Sequence, residues 1–122
     1  MNTVQTTLER ARSQAQDLSK KIEAAAAKDQ VAMRAEMAQV ADKARDLRDS
    51  LKSAGDGQRA DAQKYLAQAA SLLDEAAAQA KTAAAASGTQ LKSAGDAVRV
   101  RARQALQQLT DAVAAARSKA HG

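Results

Sequence analysis

At 122 residues the chain suits a single domain, and alanine alone outnumbers Leu, Ile, Val, Met and Tyr taken together. It is therefore rich in helix-forming residues and poor in bulk to bury. Pro, Cys, Trp and Phe are absent, which excludes disulfides and thiolate metal sites and leaves long helices unbroken by proline. The net charge of +5 is uneven: residues 1–80 carry 12 basic and 12 acidic side chains, so the surplus arises in residues 81–122, from seven basic side chains against Asp96 and Asp111.

These features predict an all-α fold in one domain spanning residues 1–122. Leu, Ile and Val are scarce enough to approach the composition of disordered chains. Alanine tips the balance toward helix because it has little side-chain entropy to lose. The expectation is a helical fold of marginal stability that leans on self-association. The start, Met1-Asn2-Thr3-Val4-Gln5, has no apolar signal-like region, and no run of about 18 large apolar residues follows, so a cytoplasmic protein without a membrane span is expected.

In the first segment Val4, Leu8, Ala11, Ala15, Leu18, Ile22 and Ala25 alternate steps of four and three, a heptad seam without polar interruption. Met33, Met37, Val40, Ala44, Leu47, Leu51 and Ala54 repeat the pattern, but the interval from Ile22 to Met33 is too long for a single heptad. That displacement is either a shift in the winding of one long helix or a turn at Lys28-Asp29-Gln30, with Asp29 as N-cap. Gly55-Asp56-Gly57 predicts a firm break, since glycine suits the position just past a helix end. The third segment places Ala62, Tyr65, Leu66, Ala69, Leu72, Leu73, Ala76 and Ala80 on one face and runs to a further break at Ser87-Gly88-Thr89. The last carries Leu91, Ala94, Val98, Ala102, Ala105, Leu109, Ala112 and Ala116 on one stripe. An internal echo repeats Leu51 to Asp56 as Leu91 to Asp96, and at the same offset Leu66 falls on Leu106 and Leu73 on Val113. It reads either as a duplicated helical unit or as low complexity.

Two architectures fit. In an up-and-down four-helix bundle, breaks near 28–30, 55–57 and 87–89 separate four helices, and the runs Ala24 to Ala27 and Ala83 to Ala86 lie at helix ends. In a hairpin about residues 55–57, two long helices set those runs opposite one another and dimerise into a bundle. Gly88 and Gly95, each costing about 1 kcal/mol inside a helix, favour the first. The reluctance of polyalanine to reverse direction favours the second.

Residues for catalysis or metal binding are nearly missing. The single histidine, His121, stands beside the C-terminus, and the four glutamates Glu9, Glu23, Glu36 and Glu75 form no Glu-x-x-His pair of the kind that di-metal bundles require. They flank the seams and are expected to pair with Arg or Lys across a helix turn. Asp42 with Arg45, and Asp46 and Asp49 with Arg45 and Lys52, are expected to pair across helix turns. Gly-rich phosphate loops and Ser/His/Asp sets are absent. An enzyme is the least expected class, and no cofactor is expected.

One charge cluster remains. Arg99, Arg101 and Arg103 bracket the Val98-Ala102-Ala105-Leu109 stripe, and with Lys92, Arg117 and Lys119 they make the last segment a basic amphipathic helix. Such a helix suits an anionic lipid surface or a polyanion. A nucleic acid is the less expected partner, since no aromatic platform for bases is present. The plainer reading is a solvated flank beside a packing stripe, with Tyr65 at the edge of the core and Met33 and Met37 within it. In composition over its whole length the chain resembles the alanine-rich amphipathic helical proteins that bacteria use as stress, envelope-associated or granule-coating factors, and desiccation-type helical proteins. It departs from membrane-anchored examples in lacking a C-terminal span and from disordered ones in its regular heptads. The resemblance implies a non-catalytic binding or protective role. Two functions follow: self-association or partner-helix binding through the seam Val4, Leu8, Leu18, Ile22, Met33, Met37, Val40, Leu47, Leu51, Leu66, Leu73, Val98 and Leu109, or binding of an anionic surface through the basic helix.

Overall fold

A computed structural model describes residues 3–55 and 60–121, with side chains described for residues 7–54 and 60–115. The described residues form four helices: α1 (Thr3–Ala26), α2 (Gln30–Gly55), α3 (Ala60–Ala84) and α4 (Gly88–His121). Each packs against its neighbours in chain order and α4 closes back on α1, so the helices run up and down around one core. The four-helix bundle is therefore adopted and the long two-helix hairpin is not.

Both alanine runs lie at helix ends, and local hydrogen bonds explain how polyalanine reverses. At the end of α1 the Ala27 N–H donates to the Ala24 carbonyl at 3.2 Å and the Lys28 N–H to the Ala25 carbonyl at 3.1 Å, tightening the last turn. Asp29 then caps α2: its Oδ1 accepts the Ala32 N–H at 2.9 Å and its carbonyl the Met33 N–H at 2.8 Å. The end of α3 repeats the tightening, with Ala85 N–H to Thr82 and Ala86 N–H to Ala83, both at 3.1 Å. Gly88 opens α4 at φ +57°. The two turns share one end of the bundle and are tied together there. Arg34 Nη1 donates to the Ala86 carbonyl and the Gly88 N–H to Gln30 Oε1, each at 3.4 Å. Of the expected break at 55–57, Gly55 closes α2, while Asp56 and Gly57 lie outside the described residues.

The two glycines of this region do different work. A Cβ on Gly88 would meet nothing within 4 Å, so its positive φ is the whole reason for glycine there. Gly88→Ala is accordingly expected to lower stability by about 1 kcal/mol, a fall in melting temperature of about 4 °C by circular dichroism. Gly95 has ordinary helical geometry inside α4, yet a Cβ there would stand 2.5 Å from Met33 Cε. It is glycine because α2 sends a methionine across to it, and α4 runs through it unbroken.

The seams face inward. Leu8, Leu18, Ile22, Met33, Met37, Val40, Leu47, Leu51, Leu66, Leu73, Leu91, Val98, Leu109 and Val113 are all buried, and the alanines between them complete the core. Val4 belongs to α1, but its side chain lies outside the described residues. More than half of the buried apolar side chains among the described residues are alanine, and no charged or polar residue is buried with them. Such a core excludes water but removes little apolar area per residue, which limits what the hydrophobic effect contributes. The packing is also uneven. The α3 backbone lies close against both α2 and α4, with Ala69, Ala70, Ala76, Ala77, Ala80 and Ala83 buried beside Leu66 and Leu73, whereas the α1 backbone approaches α2 and α4 closely over fewer residues. The echo segments fall at non-equivalent places, Leu51 to Gly55 at the end of α2 and Leu91 to Asp96 in the first turns of α4, so the fold gives no support to a duplicated unit.

Candidate functional site

The charge cluster of α4 is turned toward the other helices of the same chain. The Arg103 guanidinium donates to Glu23 Oε1 of α1 at 2.7 Å. Arg99 lies 4.0 Å from the second oxygen of Glu23 and 3.4 Å from Asp96 one turn back. On the opposite flank Arg101 is 3.7 Å from Glu75 of α3. The spacing explains the division: residues 99 and 103 share one side of the helix while 101 projects from the other, so one arginine set faces α1 and the other α3. Lys92 is exposed and has no carboxylate within ion-pair distance among the described residues. The side chains of Arg117, Lys119 and His121 lie outside the described residues.

Ion pairs of the same kind cross the remaining interfaces. Lys21 of α1 lies 2.8 Å from Glu36 of α2, with Lys28 3.2 Å from the other oxygen of the same carboxylate. Arg48 of α2 hydrogen-bonds Asp74 of α3 and also pairs with Asp49 at 3.1 Å. Each contact between neighbouring helices thus carries a charge pair at its rim. Exposed pairs contribute about 1 kcal/mol at most; a further effect is to favour one register and neighbour over others. The expected pairs of Asp42, Asp46 and Asp49 with Arg45 and Lys52 do not form among the described residues. Asp49 is taken by Arg48, whose position beside α3 also lets it reach Asp74.

Hydrogen bonds from Lys21 and then Lys28 hold the Glu36 carboxyl below its ordinary value of 4.5, against a smaller opposing effect of burial. A carboxylate depressed in this way stabilises the fold above its unfolded value and loses that contribution as the pH falls through the lowered folded value. Melting curves of the native chain and Glu36→Gln are therefore expected to differ near neutral pH and to converge in strong acid. The Arg48 guanidinium is pushed further up by Asp74 and Asp49.

Two grooves formed by described residues open along α1. The first, of about 270 Å³, lies between α1 and α2, with Leu18 and Leu47 at its floor and Gln14, Asp17, Lys21, Lys43, Asp46 and Ser50 around it. The second, of about 290 Å³, lies where α1, α2 and α4 meet near residues 27–29; Ile22, Met33, Met37 and Leu91 are among its apolar residues. Among the described residues no group of three His, Asp or Glu side chains is placed to hold a metal ion, and no helix is long and apolar enough to cross a membrane. Tyr65 packs partly buried against the core.

Glu23, Glu36 and Glu75, expected to pair with Arg or Lys across a helix turn, do pair with them, but between helices, which sequence reasoning missed. Glu23 stands far from Arg103 in the chain, and nothing local marks it or Glu75 as the counter-charge of α4. No protein-family model matches the chain, and no similar chain is found among curated proteins or among solved structures. The class of protein that can be stated is an all-α up-and-down helical bundle.

Proposed function

We propose that the chain is a non-catalytic interaction protein that acts by association of amphipathic helices, with a second copy of itself or with a helix of a partner. The bundle is then the self-paired form, and α1 is the helix that exchanges. The observation that supports this reading is the uneven approach of the helices: the α3 backbone lies close to both α2 and α4, while α1 lies close to its neighbours over fewer residues and is separated from α2 by a groove on its outer side. An incoming helix with larger apolar residues than Ala11, Ala15 and Ala25 would bury more area than α1 does and so compete for its place. Light-scattering mass on a sizing column, run with circular dichroism at low and high protein concentration, tests this. A helical species whose mass grows with concentration supports the reading, and a monomer at every concentration that also ignores added amphipathic helices rejects it.

The competing reading, an anionic lipid surface or polyanion bound by α4, rests on the basic surplus of residues 81–122. Its arginines already have partners in Glu23, Asp96 and Glu75, so binding there requires exchange of those carboxylates for outside anions. Replacing Arg99, Arg101 and Arg103 together by Gln distinguishes the two. Under the interaction reading the triple variant melts a few degrees lower and keeps its association; under the anionic-surface reading it loses a salt-sensitive binding that the native chain shows.

A further inference from the structure

We infer that α1 exchanges with a second copy of this chain, by a reciprocal swap in which the turn at residues 27–29 straightens. This rests on the reading of α1 as the exchanging helix and names its partner and its route. In the swapped dimer α1 and α2 form one continuous helix, and the α1 of each copy takes the place of α1 in the other.

Nothing in the turn is barred from a helix. Ala27-Lys28-Asp29-Gln30 contains neither glycine nor proline, and the positive φ among the described residues belongs to Gly88, in the other turn. Ala, Lys and Gln are good helix formers. Two backbone hydrogen bonds, from the Ala27 and Lys28 amides to the Ala24 and Ala25 carbonyls, and the Asp29 cap on Ala32 hold the turn closed. Straightening gives these up, and in exchange the amides of residues 29–31 gain helix acceptors in the carbonyls of residues 25–27. The seams also stay aligned. Ile22 and Met33 are 11 residues apart, which at ~3.6 residues per turn closes three whole turns. A straight helix therefore presents Leu18 and Ile22 on the same face as Met33 and Met37. Short connections of this kind are where identical elements exchange between copies.

The rest of the bundle does not depend on the turn. Arg34 reaches the Ala86 carbonyl and Gln30 the Gly88 amide, so α2 stays tied to the turn between α3 and α4 when α1 leaves. The contacts of α1 are remade by the incoming copy, Glu23 with Arg99 and Arg103, and Lys21 with Glu36, across chains instead of within one. The other turn is the poorer hinge. Gly88 has a φ that a continuing helix would have to reverse, and α3 and α4 lie close together over more residues than any other pair.

The chain has no cysteine, so Gln14→Cys with Ser50→Cys accepts a pair of spin labels for the test. Both positions line one groove in the monomer, whereas one continuous helix sets them about 50 Å apart. Labelled chain is refolded at high concentration with a large excess of unlabelled chain and separated by size, and double electron–electron resonance then reads distances within one chain alone. The expected result is a dimer with an intrachain distance of about 50 Å. Gln30→Pro, which suits the first position of α2 but breaks a continuous helix, is expected to lower the dimer fraction at least tenfold. Asp29→Leu, which removes the cap and adds an apolar residue to the seam between Ile22 and Met33, is expected to raise it. If Gln30→Pro does not fold, Gly-Ser-Gly inserted between Lys28 and Asp29 replaces it, with the same expected loss. A dimer that keeps the short distance, or one that Gln30→Pro or the insertion leaves at the native level, overturns the swap and leaves helix association standing. A monomer at every concentration also overturns the swap, and the association reading falls with it only if that monomer ignores added amphipathic helices as well.

Discussion

Truncation of Leu51 to alanine is expected to destabilise the bundle by about 2 to 5 kcal/mol, the range for removing a leucine from a packed core. Leu51 is 1% exposed and lies in the last turns of α2. In a core built largely from alanine, each leucine supplies an outsized share of the buried apolar area, and the surrounding methyl groups are too short to collapse into the void. Small domains have about 5 to 15 kcal/mol of stability in total, so the loss leaves Leu51→Ala partly unfolded near physiological temperature. At roughly 4 °C per kcal/mol the melting midpoint falls by about 8 to 20 °C, which a thermal scan by circular dichroism detects without difficulty. Leu47→Ala is expected to behave similarly and in addition to widen the groove between α1 and α2, whose floor Leu47 shares with Leu18. If either variant melts like the native chain, that leucine is not part of the core.

How far the sequence alone leads depends on the range of the interaction. Heptad steps are local, and every residue of the candidate association seam whose side chain is described is buried. The turn at 27–29 was legible from Asp29, a polar cap ahead of an apolar run, even with alanines before it. The turn at 85–87 was legible from Gly88, but Gly95 also follows a small-residue stretch and breaks nothing. What separates them is φ at one and a methionine from another helix at the other, and neither is written nearby in the chain. The choice between bundle and hairpin turned on how an alanine run ends, and it ends by tightened hydrogen bonds that alanine permits as readily as any residue. The basic cluster was legible as a cluster. Its partners were not, because Glu23 and Glu75 belong to a stretch whose charges sum to zero, and only the folded arrangement aligns them with Arg99, Arg101 and Arg103.

Enlarging a single alanine is expected to have opposite consequences on α1 and α3. Ala77 of α3 is 1% exposed and flanked by Ala76 and Ala80, both fully buried. Small side chains there let α3 lie against α2 and α4 at once, so a leucine at this position meets packed atoms with no free volume to enter. Overpacking of this kind costs about 1 to 3 kcal/mol, and Ala77→Leu belongs at the upper end because two interfaces must give way together. Ala15 of α1 is equally well buried, at 2%, but its neighbours Gln14 and Leu18 line the groove of about 270 Å³ beside α2. Ala15 faces the core and does not itself line that groove; if α1 is the loosely held helix, it shifts outward to admit Ala15→Leu, and the effect is expected to stay within about 1 kcal/mol. Thermal midpoints of the two variants, measured with their masses, test the asymmetry that sets α1 apart. A large fall for Ala77→Leu with little change for Ala15→Leu supports α1 as the loosely held helix. Equal losses would mean that α1 is seated as firmly as α3, and the proposal that it exchanges for a partner helix would lose the observation on which it stands.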